Sequence, residues 1–257
     1  MPWEAAILST ASIDSSDKAS LKEIKKVAGA NGKVCVTQPV WGVKEASGKL
    51  YFLSDETGYL NLWSIDTEKT DAKAEMSMKP LEKDLADPMW ALGTIDIAVL
   101  DGATALVAPI SGGETLSHFD LNTGKIKPLQ GGEVYRAILQ LKRLSDTQAV
   151  FIGQKSSAPP TLVIVTLGSA AGHADFTEVK TTAPEFAKKP VDPEYASVPE
   201  TYTLSVPWSE NAKRPEGMDT DQKEVDLHVI VFPPKNPNFK GPEGSKPPCL
   251  VGVHGGP

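Results

Sequence analysis

Lys49-Leu50-Tyr51-Phe52-Leu53-Ser54-Asp55-Glu56-Thr57-Gly58-Tyr59-Leu60-Asn61-Leu62-Trp63-Ser64-Ile65-Asp66 is the stretch whose reading decides the fold. Two short runs rich in apolar and aromatic residues, 49–53 and 59–65, flank Ser54 to Gly58, where Asp and Gly favour a turn. Asp66-Thr67 turns the chain again. This antiparallel hairpin recurs. Ala105 to Ile110, the Ser111-Gly112-Gly113 turn and Thr115 to Leu121 repeat it, followed by Asn122-Thr123-Gly124 and an outer strand from Lys125 to Leu129. The third copy runs from Ala149 to Gln154, loops through Pro159-Pro160, continues from Thr161 to Leu167 and closes with Phe176 to Lys180. Each copy has a leading strand: Gln38-Pro39-Val40-Trp41 before the first, Asp87-Pro88-Met89-Trp90 opening the second, Arg136 to Leu141 before the third. Four strands per copy result.

A four-strand unit returning at roughly 45 to 55 residues marks propeller blades, small sheets that bury their faces only by stacking on neighbours. The reading is therefore a mainly β chain, with a partial β-propeller of about three to four blades over residues 1–182. Trp3 to Leu8 and Ile24 to Val27 fit remnants of the fourth blade. An antiparallel sandwich also spaces its strands evenly and is the structural alternative. Only Asp17 to Val27 has a passing helical composition. Trp41, Trp63 and Trp90 recur at similar blade positions and are expected to be core, because large aromatics fill the wedge between sheets.

Composition changes after Thr182. Residues 183–199 hold four prolines among charged residues and read as a surface linker. Residues 200–257 begin a second domain: Thr201 to Val206 and Val225 to Phe232 read as two strands joined by a polar loop, Ser209 to Lys223. The proline-rich Pro233 to Pro248 then leads to an apolar run, Cys249 to Val253, read as a short buried strand entering His254-Gly255-Gly256-Pro257.

The 257 residues are 40% apolar and 23% charged, a composition that supports a folded core rather than disorder. A net charge of −7 with scattered lysines argues against nucleic acid and against a polybasic membrane anchor. No apolar run approaches the ~18 residues that span a bilayer. The two cysteines, Cys35 and Cys249, lie far apart in apparent strands and read as buried thiols rather than a disulfide framework. With no sequon for glycosylation, a cytoplasmic location is expected.

In order and spacing, the chain resembles the prolyl oligopeptidase group of serine peptidases, in particular its acylaminoacyl-peptidase and dipeptidyl-aminopeptidase-like branch. The residues that carry this are Gln38-Pro39-x-Trp41, then Leu50-Tyr51-Phe52-Leu53-Ser54-Asp55-x-x-Gly58-x-x-Asn61-Leu62-Trp63. Phe151-Ile152-Gly153 with Ser156-Ser157 and Pro159-Pro160 resembles a later blade, and Pro247-Pro248 before a strand and His254-Gly255-Gly256-Pro257 resembles the start of the group's α/β-hydrolase domain. The resemblance implies hydrolysis of short peptides through an acyl-serine intermediate. It also implies a seven-bladed propeller, of which this chain holds about half, and a nucleophile in a Gly-x-Ser-x-Gly elbow, a pentapeptide found nowhere in the sequence. The expectation is an interior piece of a longer peptidase, truncated at the oxyanion loop, with the Ser-Asp-His triad downstream and no activity alone. A noncatalytic propeller binding module, or a split enzyme with the triad on a second chain, are the alternatives.

The candidate site residues are His254, Gly255 and Gly256. In such a loop the useful groups are backbone N–H donors, which stabilise a tetrahedral oxyanion by roughly 3 kcal/mol per donor. The glycines carry that role and the imidazole shapes the loop, although an ordinary turn is the bland reading of the same residues. His118, His173 and His228 fall in unrelated segments, so neither metal nor cofactor is expected. Asp55, Glu56 and Gly58 read as turn formers. Glu133 and Arg136 begin a blade strand, could face a central tunnel and read as solvated.

Overall fold

The computed structural model describes residues 5–14, 16, 20–90, 93–170, 172–185, 192–209 and 223–253. They fall into two compact units, 1–187 and 188–257.

In the first unit three four-stranded antiparallel sheets follow one another, each with its strands in chain order. A two-stranded hairpin of β1 (Leu8–Asp14) and β2 (Ser20–Ala28) precedes them. The first sheet holds β3 (Val36–Trp41), β4 (Lys49–Ser54), β5 (Asn61–Asp66) and β6 (Glu75–Met76). The second holds β7 (Ala98–Val99), β8 (Thr104–Val107), β9 (Ser117–Asp120) and β10 (Lys125–Pro128). The third holds β11 (Ala137–Arg143), β12 (Gln148–Gln154), β13 (Thr161–Leu167) and β14 (Ala174–Thr181). Sheets meet through their leading strands, β3 against β7 and β7 against β11. Stacked meanders joined at their first strands form a partial β-propeller, with β3, β7 and β11 as its inner edge.

Why the strands read as nearly continuous apolar runs follows from this stacking. Side chains alternate across a strand, and a middle blade is covered on both faces. Tyr51 and Leu53 of β4 point towards the second sheet and pack with Val99, Ala105, Val107 and Phe119. Their neighbours Leu50 and Phe52 turn to the other side, where Leu8, Val27 and Ala28 of the hairpin pack. In β8, Ala105 and Val107 face the first sheet while Leu106 joins Leu116, Tyr135, Phe151, Val163 and Val165 of the next layer. Tyr135 and Phe151 meet edge to face with ring centroids 5.3 Å apart. Each such large side chain contributes roughly 1.5–3 kcal/mol by leaving water.

The turns use the chemistry their sequences offer. The Asp120 Oδ1 accepts the backbone N–H groups of Asn122 and Thr123 at 2.9 and 3.0 Å, and Gly124, at φ +67°, closes the turn onto the Asp120 carbonyl. Asn61, fully buried, donates to the Leu81 and Lys83 carbonyls and accepts the Leu81 N–H at 2.7 Å. It thereby pins the segment after β6 to β5. At the β3–β4 and β11–β12 turns, Asp146 pairs with both Lys44 and Arg143, and the Arg143 Nε donates to the Leu100 carbonyl. One charge cluster thus ties the three leading hairpins together.

Three expectations change. The second blade opens at Ala98–Val99 rather than at Asp87 to Trp90, which form no strand. Pro88 has no N–H for a ladder, and the short inner strand forms ten residues later where consecutive apolar residues resume. Residues 20–28 form β2, which includes the blade remnant read at Ile24 to Val27, and pairing with β1 overrides the passing helical propensity. Trp41 and Trp90 are exposed and Trp63 is half-buried. Trp90 lies in a bend, and Trp41 follows a bulge in β3. Finally, Cys249 to Val253 is neither a strand nor buried: Leu250 is 100% and Val253 87% exposed, and Cys249 is exposed as well. An apolar run without a partner strand has nowhere to bury its faces. Cys35 is buried as expected.

Among the described residues of the second unit, β15 (Glu200–Pro207) and β16 (Glu224–Val231) form a hairpin, paired without a register shift.

Candidate functional site

His254, Gly255 and Gly256 lie outside the described residues. What leads to them is the exposed run 249–253. In the same unit β15 and β16 make an amphipathic ribbon. Tyr202 opposite Val229, Leu204 opposite Leu227 and Val206 opposite Val225 share one face. The other face carries Thr203, whose hydroxyl lies 3.0 Å from the His228 Nδ1, and Ser205, which donates to Glu224 at 2.7 Å. Leu204 and Leu227 remain nearly half exposed. A two-stranded ribbon of this kind acquires stability only when its apolar face is covered. Beside it, an open cleft of about 830 Å³ is lined by Pro193, Pro234, Lys235, Phe239 and Lys240 among others, and the Lys235 ammonium donates to the Pro193 carbonyl.

Chemistry of a different kind gathers on the inner edge of the first unit. A bulge between Thr37 and Val40 in β3 puts Gln38 at φ +52°, and a bulge between Leu139 and Lys142 in β11 puts Gln140 at φ +57°. Left-handed backbone is costly for glutamine, so neighbouring contacts must hold it. They do at Gln38. Its Nε2 donates to the Asp96 Oδ2 at 2.8 Å, and its Oε1 accepts the Asp96 backbone N–H at 2.7 Å. The Asp96 Oδ1 is buried without a well-formed hydrogen bond. One blade further, the Glu114 backbone N–H donates to the Arg136 carbonyl at 3.0 Å, and its Oε2 accepts the Ile138 N–H at 2.5 Å.

The electrostatics follow from that burial. Asp96 is held above the usual carboxylate range, first by loss of water and then by the charge of Asp87, against the Gln38 amide, the Gln140 backbone and Lys142. Glu114 is pushed up to about 8, again first by burial and then by Asp87 and Asp96, against the Ile138 N–H. At neutral pH Glu114 is therefore a neutral acid, able to donate a proton as well as to accept one. Arg136, expected to be solvated, is half-buried with its guanidinium against Gly113 and its Nε buried without a hydrogen bond, whereas Glu133 is exposed. Sequence reading passed over Asp96 and Glu114 because both stand in loops, where acids are ordinary. The available signal was Gln38 and Gln140, polar residues in inner strands that have to be satisfied from elsewhere.

The remaining candidates separate. Asp55 is structural: its Oδ1 accepts the Cys35 N–H at 2.7 Å, and Gly58 closes the turn at φ +95°. His118 and His173 come together at a cleft of about 290 Å³ with Asp101 and Asp146, while His228 is in the second unit. Among the described residues no group of three or more His, Cys, Asp or Glu is placed to hold a metal ion. No helix among them is long and apolar enough to cross a membrane.

A partial propeller in the first unit, and a separate β-ribbon in the second, define an architecture shared with known hydrolases. Puromycin hydrolase matches over 96% of this chain with a TM-score of 0.73 and 23% identity. A mutant of puromycin hydrolase complexed with PGG matches over the same share, with a TM-score of 0.71 and 24% identity. A puromycin-hydrolyzing peptidase of Mycobacterium tuberculosis matches over 96% with a TM-score of 0.70 and 25% identity. The chain spans about a third of the length of these proteins, 32%, 32% and 33%. At this identity the likeness is one of fold. No protein-family model matches the chain, and no curated protein matches it significantly.

Proposed function

We propose that this chain is part of a serine-type peptidase of the prolyl oligopeptidase group that hydrolyses short peptides, and that the chain alone is inactive. In this reading residues 1–182 are a partial propeller, 183–199 a linker and 200–257 the first strands of an α/β-hydrolase domain, working in the cytoplasm. His254, Gly255 and Gly256 form its oxyanion loop, with backbone N–H groups as the donors and the nucleophile elsewhere. The observation that carries it is the likeness of fold, over 96% of the chain, to hydrolases of known structure. Two further facts support it: the second unit's ribbon has an uncovered apolar face, and the apolar run before His254 lacks a partner strand. Both suit strands that belong to a larger sheet.

The chemistry needs a nucleophile, a base and an oxyanion hole together. The test is a chimera in which residues 1–257 replace the corresponding third of puromycin hydrolase. The 257-residue chain should neither hydrolyse aminoacyl chromogenic substrates nor be labelled by a fluorophosphonate, and the chimera should do both. Within the chimera His254→Ala should cost less activity than Gly256→Pro, which removes an N–H outright and is expected to lower kcat by about 10²-fold or more. Labelling of the short chain would overturn the proposal. A folded chimera without activity would favour a noncatalytic binding module.

A further inference from the structure

We propose that the inner edge of this propeller segment is a proton-operated seam, closed across β3, β7 and β11 while Asp96 and Glu114 are protonated and loosened when they ionise. Both acids belong to the second sheet's segment and bind its two neighbours. Asp96, just before β7, grips the β3 bulge through the paired hydrogen bonds with Gln38, and Glu114, in the β8–β9 loop, grips β11 through the Ile138 N–H. Each joins one sheet to the next where the leading strands touch. Glu114 is faced by Asp87 and Asp96 from the segment between β6 and β7 and by the Ile138 N–H from β11. Asp96 is faced by Gln38 from β3, by Asp87, and by the Gln140 backbone and Lys142 from β11. Among the described residues neither acid makes an ion pair within 4 Å. Ionising both would leave two poorly solvated charges near a third, Asp87, with Lys142 facing Asp96 and the Arg136 guanidinium lying against Gly113 beside Glu114. The hydrogen bonds survive protonation, since Gln38 and Ile138 donate to the acids rather than accept from them.

The sign is set by the direction of the shifts. A carboxyl raised in the folded state stabilises the seam fully below its ordinary value and loses that contribution as pH rises towards its folded value, about 8 for Glu114. Stability here falls with increasing pH, opposite to an acid held low by a salt bridge.

The test is residue-resolved hydrogen exchange of the 257-residue chain from pH 5 to 9, corrected for intrinsic rates, with protection at Ile138 compared with protection at Ile164 in the central strand β13. Protection at Ile138 relative to Ile164 should fall as pH rises to about 8, by at most tenfold per pH unit for each proton. Glu114→Gln, which stays neutral and keeps a carbonyl for Ile138, should reduce the fall, and its combination with Asp96→Asn should abolish it. Should these buried variants not fold, the exposed Asp87→Asn removes one repelling charge, so the fall should be shallower and end at lower pH. A flat profile in the unaltered chain, or a fall that none of these substitutions changes, would overturn the proposal.

Discussion

Asn61 shows how much one polar residue decides. It opens β5, is fully buried and holds three backbone groups of the segment 81–83. Removing the amide would leave those groups without partners and out of water. Asn61→Ala should therefore lower stability by about 3 kcal/mol, seen as a lower urea midpoint at unchanged slope. Gln38 works in the same way with less visibility, its strained backbone held by two hydrogen bonds to Asp96. Asparagine at 61 and glutamine at 38 are both plain in the sequence. Their partners are not, since Asp96 lies 58 positions from Gln38.

At the scale of elements, β4, β5, β12 and β13 were readable because short apolar and aromatic runs are bounded there by turn residues. The inner strand β7 was missed because two residues carry no period. β2 was legible only in part, as the remnant Ile24 to Val27, because Lys22, Glu23 and Lys26 suit a helix until β1 offers a ladder, with Lys22 paired to Asp14 and Ser12 donating to Glu23 at 2.7 Å. The run Cys249 to Val253 has strand composition and no strand. It gives a direct test: a water-soluble thiol reagent should modify Cys249 at once and Cys35 only on unfolding, so native chain yields one equivalent and denatured chain two. Two slow thiols in the native chain would mean that the run is covered.

For the first unit as a whole, the third sheet is covered by the described residues on one face only. Phe151, Val163 and Val165 are buried against the second sheet, whereas Leu139 and Leu162 on the opposite face are 37% and 38% exposed. Such a face, together with an unpaired strand edge, favours association. The purified chain should self-associate with rising concentration in sedimentation velocity, and Leu162→Lys should reduce this while leaving thermal unfolding of the remaining sheets in place. A monomer at all concentrations would contradict the reading.

The sequence by itself determined a repeated four-stranded unit, the three hairpins and their turns, and a change of character after Thr182, because each rests on local rules of periodicity and turn chemistry. Only the tertiary structure decided that β3, β7 and β11 form one edge and that Asp96 is buried and Glu114 half-buried there, both carboxyls raised above their ordinary range first by loss of water. The reason is physical: burial and the approach of like charges depend on which sheets stack, and stacking brings together residues whose separation along the chain carries no local signal.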